Sequence, residues 1–241
     1  MSGAYPPDLA HAHASGFTGL AEAAAPVLVE MLRQASIESG RVVDLGCGSG
    51  VTSLALSRAG FDVVGIDASE PLLALARRTA PDARFRRGSF LREAIPPCAA
   101  VVAVGEVLSY TERDLAPLFR RVLRALAPGG LFVFDLSGPG RVADRGPVRD
   151  WHEAEDWAIL VETRESAAGT LLTRRMTVFR RSDRGWRRSE VTHRQRLRRS
   201  AEVASELRAE GFAVRIRRSY AGERFAPGHY VVVARSRVRR R

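Results

Sequence analysis

Apolar residues recur along this chain with two different periods, and the change from one to the other divides it. From Phe17 to Arg33, residues Leu20, Ala24, Val27, Leu28 and Met31 keep the spacing of one helix face. Pro26 lies inside that pattern and places a helix start near it. Arg41–Leu45 and Phe61–Ile66 are short β-branched runs, separated by a helical pattern over Val51–Ala59 that Gly60 stops. Ser69-Glu70-Pro71 combines a capping serine, an early acid and a proline, so it opens the next helix, which runs to about Thr79. Arg84–Arg87, Ala99–Val104 and Leu131–Leu136 read as further strands, with a helix over Asp114–Leu126 and a turn at Pro128-Gly129-Gly130. Ala99–Val104 is wholly apolar, as a strand buried on both faces is. This alternation of strand and helix predicts a parallel sheet covered by helices on both sides.

The period then drops to two. Trp157–Arg164, Thr170–Arg181 and Trp186–Arg198 alternate without helices between them, broken by Ala167-Ala168-Gly169 and Ser182-Asp183-Arg184-Gly185. Both breaks suit hairpin turns, so the segment reads as a three-stranded antiparallel meander. A helix over Ser200–Glu210 and strands near Phe212–Ser219 and His229–Ala234 return the chain to the first sheet.

Composition sets limits on this picture. The 241 residues are 45% hydrophobic, enough for one domain with an elaboration. Cys47 and Cys98 are isolated, which gives neither a disulfide framework nor metal-ligand spacing, so no metal is expected. No apolar run approaches the roughly 20 residues of a membrane helix, and the N-terminus lacks a signal pattern, so a cytoplasmic protein that does not engage a membrane is expected. The net charge of +11 is uneven: residues 1–140 hold 13 Arg against 14 acids, residues 141–241 hold 25 Arg against 13. The chain has no lysine. Forked guanidinium groups bind phosphate and carboxylate, so an acidic small molecule or a nucleic acid stays open as a partner of the basic half.

The candidate chemistry starts at Asp44-Leu45-Gly46-Cys47-Gly48-Ser49-Gly50, where a buried strand ends in a glycine turn feeding a helix. Such a turn lets backbone N–H groups approach a nucleotide-like ligand. The dinucleotide fingerprint G-x-G-x-x-G requires Gly or Ala where this chain has Val51, which argues against a dehydrogenase. Gly65-Ile66-Asp67-Ala68-Ser69 follows one strand–helix–strand unit later, then Gly88-Ser89-Phe90, Gly105-Glu106-Val107-Leu108 and Pro128-Gly129-Gly130 after or before the next strands. With these landmarks the chain resembles the class I S-adenosylmethionine-dependent methyltransferases over residues 41–136, and by pattern over 200–235. The meander is similar to an insertion of some small-molecule members.

The resemblance implies an α/β, Rossmann-like seven-stranded sheet, mostly parallel with the last strand antiparallel, with the three-stranded insertion after the fifth strand. Residues 1–16 would be a flexible arm, 17–150 and 199–235 the methyltransferase domain, 151–198 the insertion covering the acceptor site, and 236–241 a basic tail. It implies S-adenosylmethionine as cofactor, leaving as S-adenosylhomocysteine, with Asp44, Gly46, Cys47, Gly48, Gly50, Asp67, Ala68, Ser89, Phe90, Gly105 and Glu106 around it. Asp67 at a strand end can accept from a ribose diol. Ser89 stands where many members carry an acid, and Phe90 is an adenine wall or core. Glu106 faces the cleft and is a substrate contact, a base or a loop support. His13 and His193 are further catalytic candidates, and Tyr110, Trp151 and His152 candidate substrate contacts. The tetrapeptide of amino-directed DNA methyltransferases is missing after the fourth strand, and Pro97-Cys98 lies at the wrong end for a cytosine-C5 nucleophile. The expected acceptor is a small molecule methylated at O or N; the alternatives are RNA or another acidic macromolecule held by the arginine-rich C-terminal part, or a non-catalytic module that binds the cofactor or a partner. The insertion is either its roof or the surface of a homodimer.

Overall fold

The computed structural model describes residues 5–142, 146–220 and 226–237. The chain opens with α1 (Pro7–Gly16), α2 (Gly19–Gln34), β1 (Arg41–Leu45) and α3 (Val51–Arg58). One half of a sheet is completed by β2 (Asp62–Asp67), α4 (Glu70–Thr79) and β3 (Arg84–Arg87), the other by β4 (Cys98–Ala103), α5 (Ala116–Ala125) and β5 (Leu126–Ser137). An insertion follows, made of β6 (Val148–Ala154), β7 (Trp157–Glu165), β8 (Leu171–Ser182) and β9 (Gly185–Arg196), before α6 (Ser200–Ala209), β10 (Phe212–Arg217) and β11 (His229–Ser236).

The main sheet has the order β10-β11-β5-β4-β1-β2-β3. Its pairs are parallel except at β11, which runs antiparallel to both β5 and β10. Strand alternation sends Val43 and Leu45 into one core with Phe119, Val122 and Leu207, and Val42 into a second with Leu28, Leu32 and Leu56. Helices therefore cover both faces, as the apolar runs predict. From β1 the chain proceeds to β2 on one side and later to β4 on the other. The loops after β1 and β4 part at that switch and leave a crevice at the C-terminal edge, where open α/β sheets bind ligands.

The second sheet, in the order β6-β7-β8-β9, stands over this crevice. It has four strands rather than the expected three. All of β6 is exposed, so no apolar alternation announces it, and pairing with β7 alone defines it. The expected flexible arm is corrected as well: from Pro7 it is helix α1, whose Leu9 and Ala12 share a third core with Trp157, Ile159, Met176 and Val178 of the insertion. Helix α2 also runs straight through Pro26 instead of starting there. Pro26 sits on the exposed face, so the carbonyl left without its donor faces water. Ser236, the first residue of the expected basic tail, belongs to β11, and residues 238–241 lie outside the described ones.

Candidate active site

The loop after β1 forms one wall of the crevice. Gly46 has φ +67°, and a Cβ there would lie 2.4 Å from a Val107 methyl, so only glycine lets the β1 and β4 loops meet. Its N–H donates to the Ile66 carbonyl at 2.6 Å, with Cys47 N–H on the same oxygen at 3.2 Å. Gly48 has φ +54°, and a Cβ would meet nothing within 4 Å, which leaves its backbone bare toward the open space. Gly50 is the N-cap of α3.

Two acids buttress this loop. Asp44 is buried and accepts from Ser53 Oγ at 2.7 Å; burial pushes its carboxyl up to about 7. Asp67 accepts from Gly48 N–H at 3.0 Å and Ser69 N–H at 2.8 Å, with the Ala68 amide a further donor, while burial raises its pKa. Asp67 thus ties the glycine loop to the start of α4, where the Ser69 hydroxyl also donates to the Tyr5 carbonyl at 2.8 Å. Burial likewise drives the Cys47 thiol well above its ordinary value, which leaves Cys47 a small unreactive lining residue.

Ser89 and Phe90 are not brought to the cavity. Ser89 Oγ accepts from Leu91 N–H at 3.3 Å, and Phe90 packs against the core on the α5 side. The Arg121 guanidinium on α5 fixes this turn through the carbonyls of Phe90, Leu91 and Glu93 at 2.9, 2.5 and 2.7 Å.

The loop after β4 carries the most elaborate contacts. Asp135, buried on β5, accepts from Gly105 N–H at 3.0 Å and Glu106 N–H at 2.5 Å. The Tyr220 hydroxyl donates to Asp135 at 3.2 Å, and His229 Nε2 stands 3.4 Å away. Pinned in this way, Glu106 adopts a left-handed φ of 59° and turns its carboxylate toward the insertion. There Arg141 lies at 2.9 Å, Gln195 Nε2 donates at 3.0 Å, Arg174 stands at 3.6 Å and His229 at 3.8 Å. Burial works to raise the Glu106 pKa, but Arg141, Arg174 and His229 outweigh it and hold the carboxyl below its ordinary value. A carboxylate so held is a weak proton acceptor, which favours substrate contact or loop support among the roles expected of Glu106. It is a fixed anion. Asp135, Arg141, Arg174, Gln195 and His229 carried no motif; alternation put Gln195 beside His193 on β9, and that was the one available signal.

The roof comes from α1 and the insertion. His193 is buried with its ring centroid 4.9 Å from Tyr5 and 5.3 Å from Tyr110, whose hydroxyls lie 3.3 Å apart. Burial raises the pKa of both tyrosines, so they stay protonated. His13 lies 4.9 Å from Tyr5, burial lowers its pKa to about 4, and its Nδ1 has no hydrogen-bond partner among the described residues. His152 on β6 meets the cavity edge-on to Phe17 at 5.0 Å. Trp151, its neighbour, is corrected: alternation turns it to the opposite face, 67% exposed beside Leu160, away from the crevice. Together these walls enclose a cavity of about 520 Å³ that runs continuously from Asp44 and Gly46–Ser49 to Arg174 and His193.

Against known proteins, residues 42–130 match a family model described as a methyltransferase domain. Over those residues the chain is similar to that methyltransferase domain. YqeM of Bacillus subtilis (strain 168), named as a candidate methyltransferase, is 28% identical over 73% of this chain and 74% of its own. A trans-aconitate 2-methyltransferase of Rhizobium meliloti (strain 1021) is 35% identical over 42% of this chain, which spans only 39% of that enzyme. Among solved structures, an S-adenosylmethionine-dependent methyltransferase from Clostridium acetobutylicum superposes with TM-score 0.82 at 15% identity, covering 95% of this chain and 97% of its own. The sugar N-methyltransferase KedS8 from Streptoalloteichus gives 0.79 at 19%, covering 98% and 96%. At these identities the two structures establish the fold, over nearly the whole chain. No helix among the described residues is long and apolar enough to cross a membrane.

Proposed function

We propose that this protein is an S-adenosylmethionine-dependent methyltransferase that acts at O or N of a small molecule. The observation that carries the reading is the single cavity joining the glycine loop to the underside of the insertion. Its volume, about 520 Å³, is in the range of small-ligand pockets, and α1 and β7–β9 cover it. The residues fit the cofactor: Gly48 and Gly105 both have positive φ and open space where a Cβ would project, and buried Asp44 sets a carboxyl in the same wall, whose ionised form a sulfonium cation would favour. S-adenosylmethionine, when bound, supplies a sulfonium methyl for in-line displacement by a nucleophile.

The chain contributes enclosure and alignment. Gly46–Ser49 and Asp44 hold one side, with Asp67 and Ser69 keeping that loop in place. Glu106, charged and held by its cage, orients the acceptor side. His13 and His193 line the roof and are candidate contacts for the acceptor; burial lowers the His13 pKa to about 4, so its ring is neutral and can accept a hydrogen bond there. Alignment of this kind accounts for roughly 7–11 kcal/mol of barrier lowering.

The names of the relatives span trans-aconitate, the cypemycin N-terminus and an amino pentose, so the likeness does not single out one acceptor. Calorimetry with S-adenosylhomocysteine tests the proposal. Binding is expected, and Asp67→Ala should weaken it roughly 10–100-fold by removing charge-assisted hydrogen bonds that shape the loop. Binding of NAD in place of S-adenosylhomocysteine would refute the reading.

A further inference from the structure

The acceptor half of the cavity is lined by Arg141 and Arg174 with Glu106 between them, and by Asp150 at its margin. Glu106 forms its shortest pair with Arg141 at 2.9 Å and fills its other oxygen from Gln195 at 3.0 Å. Arg174, on β8, stands 3.6 Å from the same oxygen, beyond hydrogen-bonding distance, and also meets the Tyr110 hydroxyl. Behind them Arg141 Nη1, buried, has no hydrogen bond of good geometry. The other acids nearby are committed. Asp135 takes backbone N–H groups of Gly105 and Glu106, and Glu165 takes those of Gly140 and Val142 at 2.9 and 3.0 Å. Asp150 lines the cavity at its exposed margin without an ion pair to Arg174 among the described residues.

Two guanidinium groups thus share one carboxylate, and both line the cavity. A guanidinium fork matches a planar carboxylate in two parallel hydrogen bonds. One added negative charge balances the Arg141–Glu106–Arg174 group, whereas a phosphate dianion would set excess charge against Glu106. We propose that the methyl acceptor bears a carboxylate bound by Arg174, with Glu106 and Arg141 positioning that guanidinium. The proposal rests on the methyltransferase reading and names its substrate class. The apolar roof of Ile159, Val161 and Met176 assigns the rest of the acceptor to a hydrocarbon or ring.

The full-length protein, saturated with S-adenosylhomocysteine, is probed by saturation-transfer NMR with benzoate, phenylacetate and succinate, each beside its amide, and with inorganic phosphate. The expected result is transfer to at least one carboxylate, none to its amide, and a loss of at least 10-fold in affinity in Arg174→Met. Arg174→Lys, which keeps the charge without the fork, should fall between. Calorimetry shows whether each variant still binds S-adenosylhomocysteine as the native protein does, which confirms that it is folded. Equal binding of amide and acid, stronger binding of phosphate, no carboxylate binding, or carboxylate affinity unchanged in Arg174→Met overturns the proposal. Absence of S-adenosylhomocysteine binding by the native protein overturns the methyltransferase reading instead, so the two failures are distinct.

Discussion

Glu106 shows how a residue's chemistry is set by what surrounds it. Its carboxylate is buried, and a buried charge is tolerated only with partners; Arg141, Arg174 and Gln195 provide them. Glu106→Gln leaves two arginines facing one another in a low-dielectric pocket, so unfolding free energy measured in urea should fall by roughly 3–5 kcal/mol. An unchanged midpoint would show that the cage contributes little. Asp44 makes the opposite case, because burial is opposed mainly by a neutral hydroxyl. Its folded carboxyl titrates at about 7 against an ordinary 3.8. Between those values the folded chain keeps a proton that the unfolded chain has lost, so this group's contribution to stability falls as pH rises from about 4 to 7. The slope reaches about 1.4 kcal/mol per pH unit. Asp44→Asn should remove that component from a stability–pH curve of the unliganded protein; superimposable curves would contradict it.

At the scale of elements, α1 belongs structurally to the insertion. Trp157 Nε1 donates to Ser15 Oγ at 2.8 Å, His11 pairs with Asp156 at 3.2 Å, and Arg187 reaches Asp8 at 2.5 Å. Gly16 permits this fit, since a Cβ there would lie 2.5 Å from the Trp157 ring. Gly16→Val should therefore loosen α1 by roughly 1–3 kcal/mol through overpacking. Hydrogen exchange should then accelerate in α1 and β7 while β1 and β4 keep their protection. The roof of the cavity would open, so turnover should suffer more than S-adenosylhomocysteine binding. The helix carries little sequence signal because its core residues, Leu9, Ala10 and Ala12, are few and sit in a Pro- and Gly-containing arm, and the insertion residues they pack against lie 140 or more positions away.

At the scale of the whole molecule, the basic half is less exposed as charge than its composition implies. Arg149 and Arg164 pair with Glu162, Arg180 with Asp156, Arg181 with Glu155, and Arg194 with Glu112. Surface pairs like these add little stability, yet they divide the positive charge among local partners. Nucleic-acid affinity should accordingly stay in the non-specific range of about 10⁻⁴–10⁻⁶ M at physiological salt. Electrophoretic shifts with single-stranded RNA across a salt series check this; nanomolar binding with a steep salt slope would restore the RNA-directed alternative.

The alternation of β1–β5 with α3–α5, the two covered faces of the sheet and the glycine turn at Asp44–Gly50 are properties of sequence alone. They depend on period, on capping residues and on conformations that only glycine adopts readily, all of which act within a few neighbours. The glycine turn and Asp67 likewise marked the cofactor side by local pattern. The acceptor side was decided only by tertiary structure. Residues 106, 135, 141, 174, 195 and 229 come together because β5 and β11 pair beside β4 and because the insertion folds back over the crevice. Whether Glu106 accepts a proton or anchors two arginines depends on those distant neighbours, since burial and charge, not residue type, set a carboxylate's behaviour.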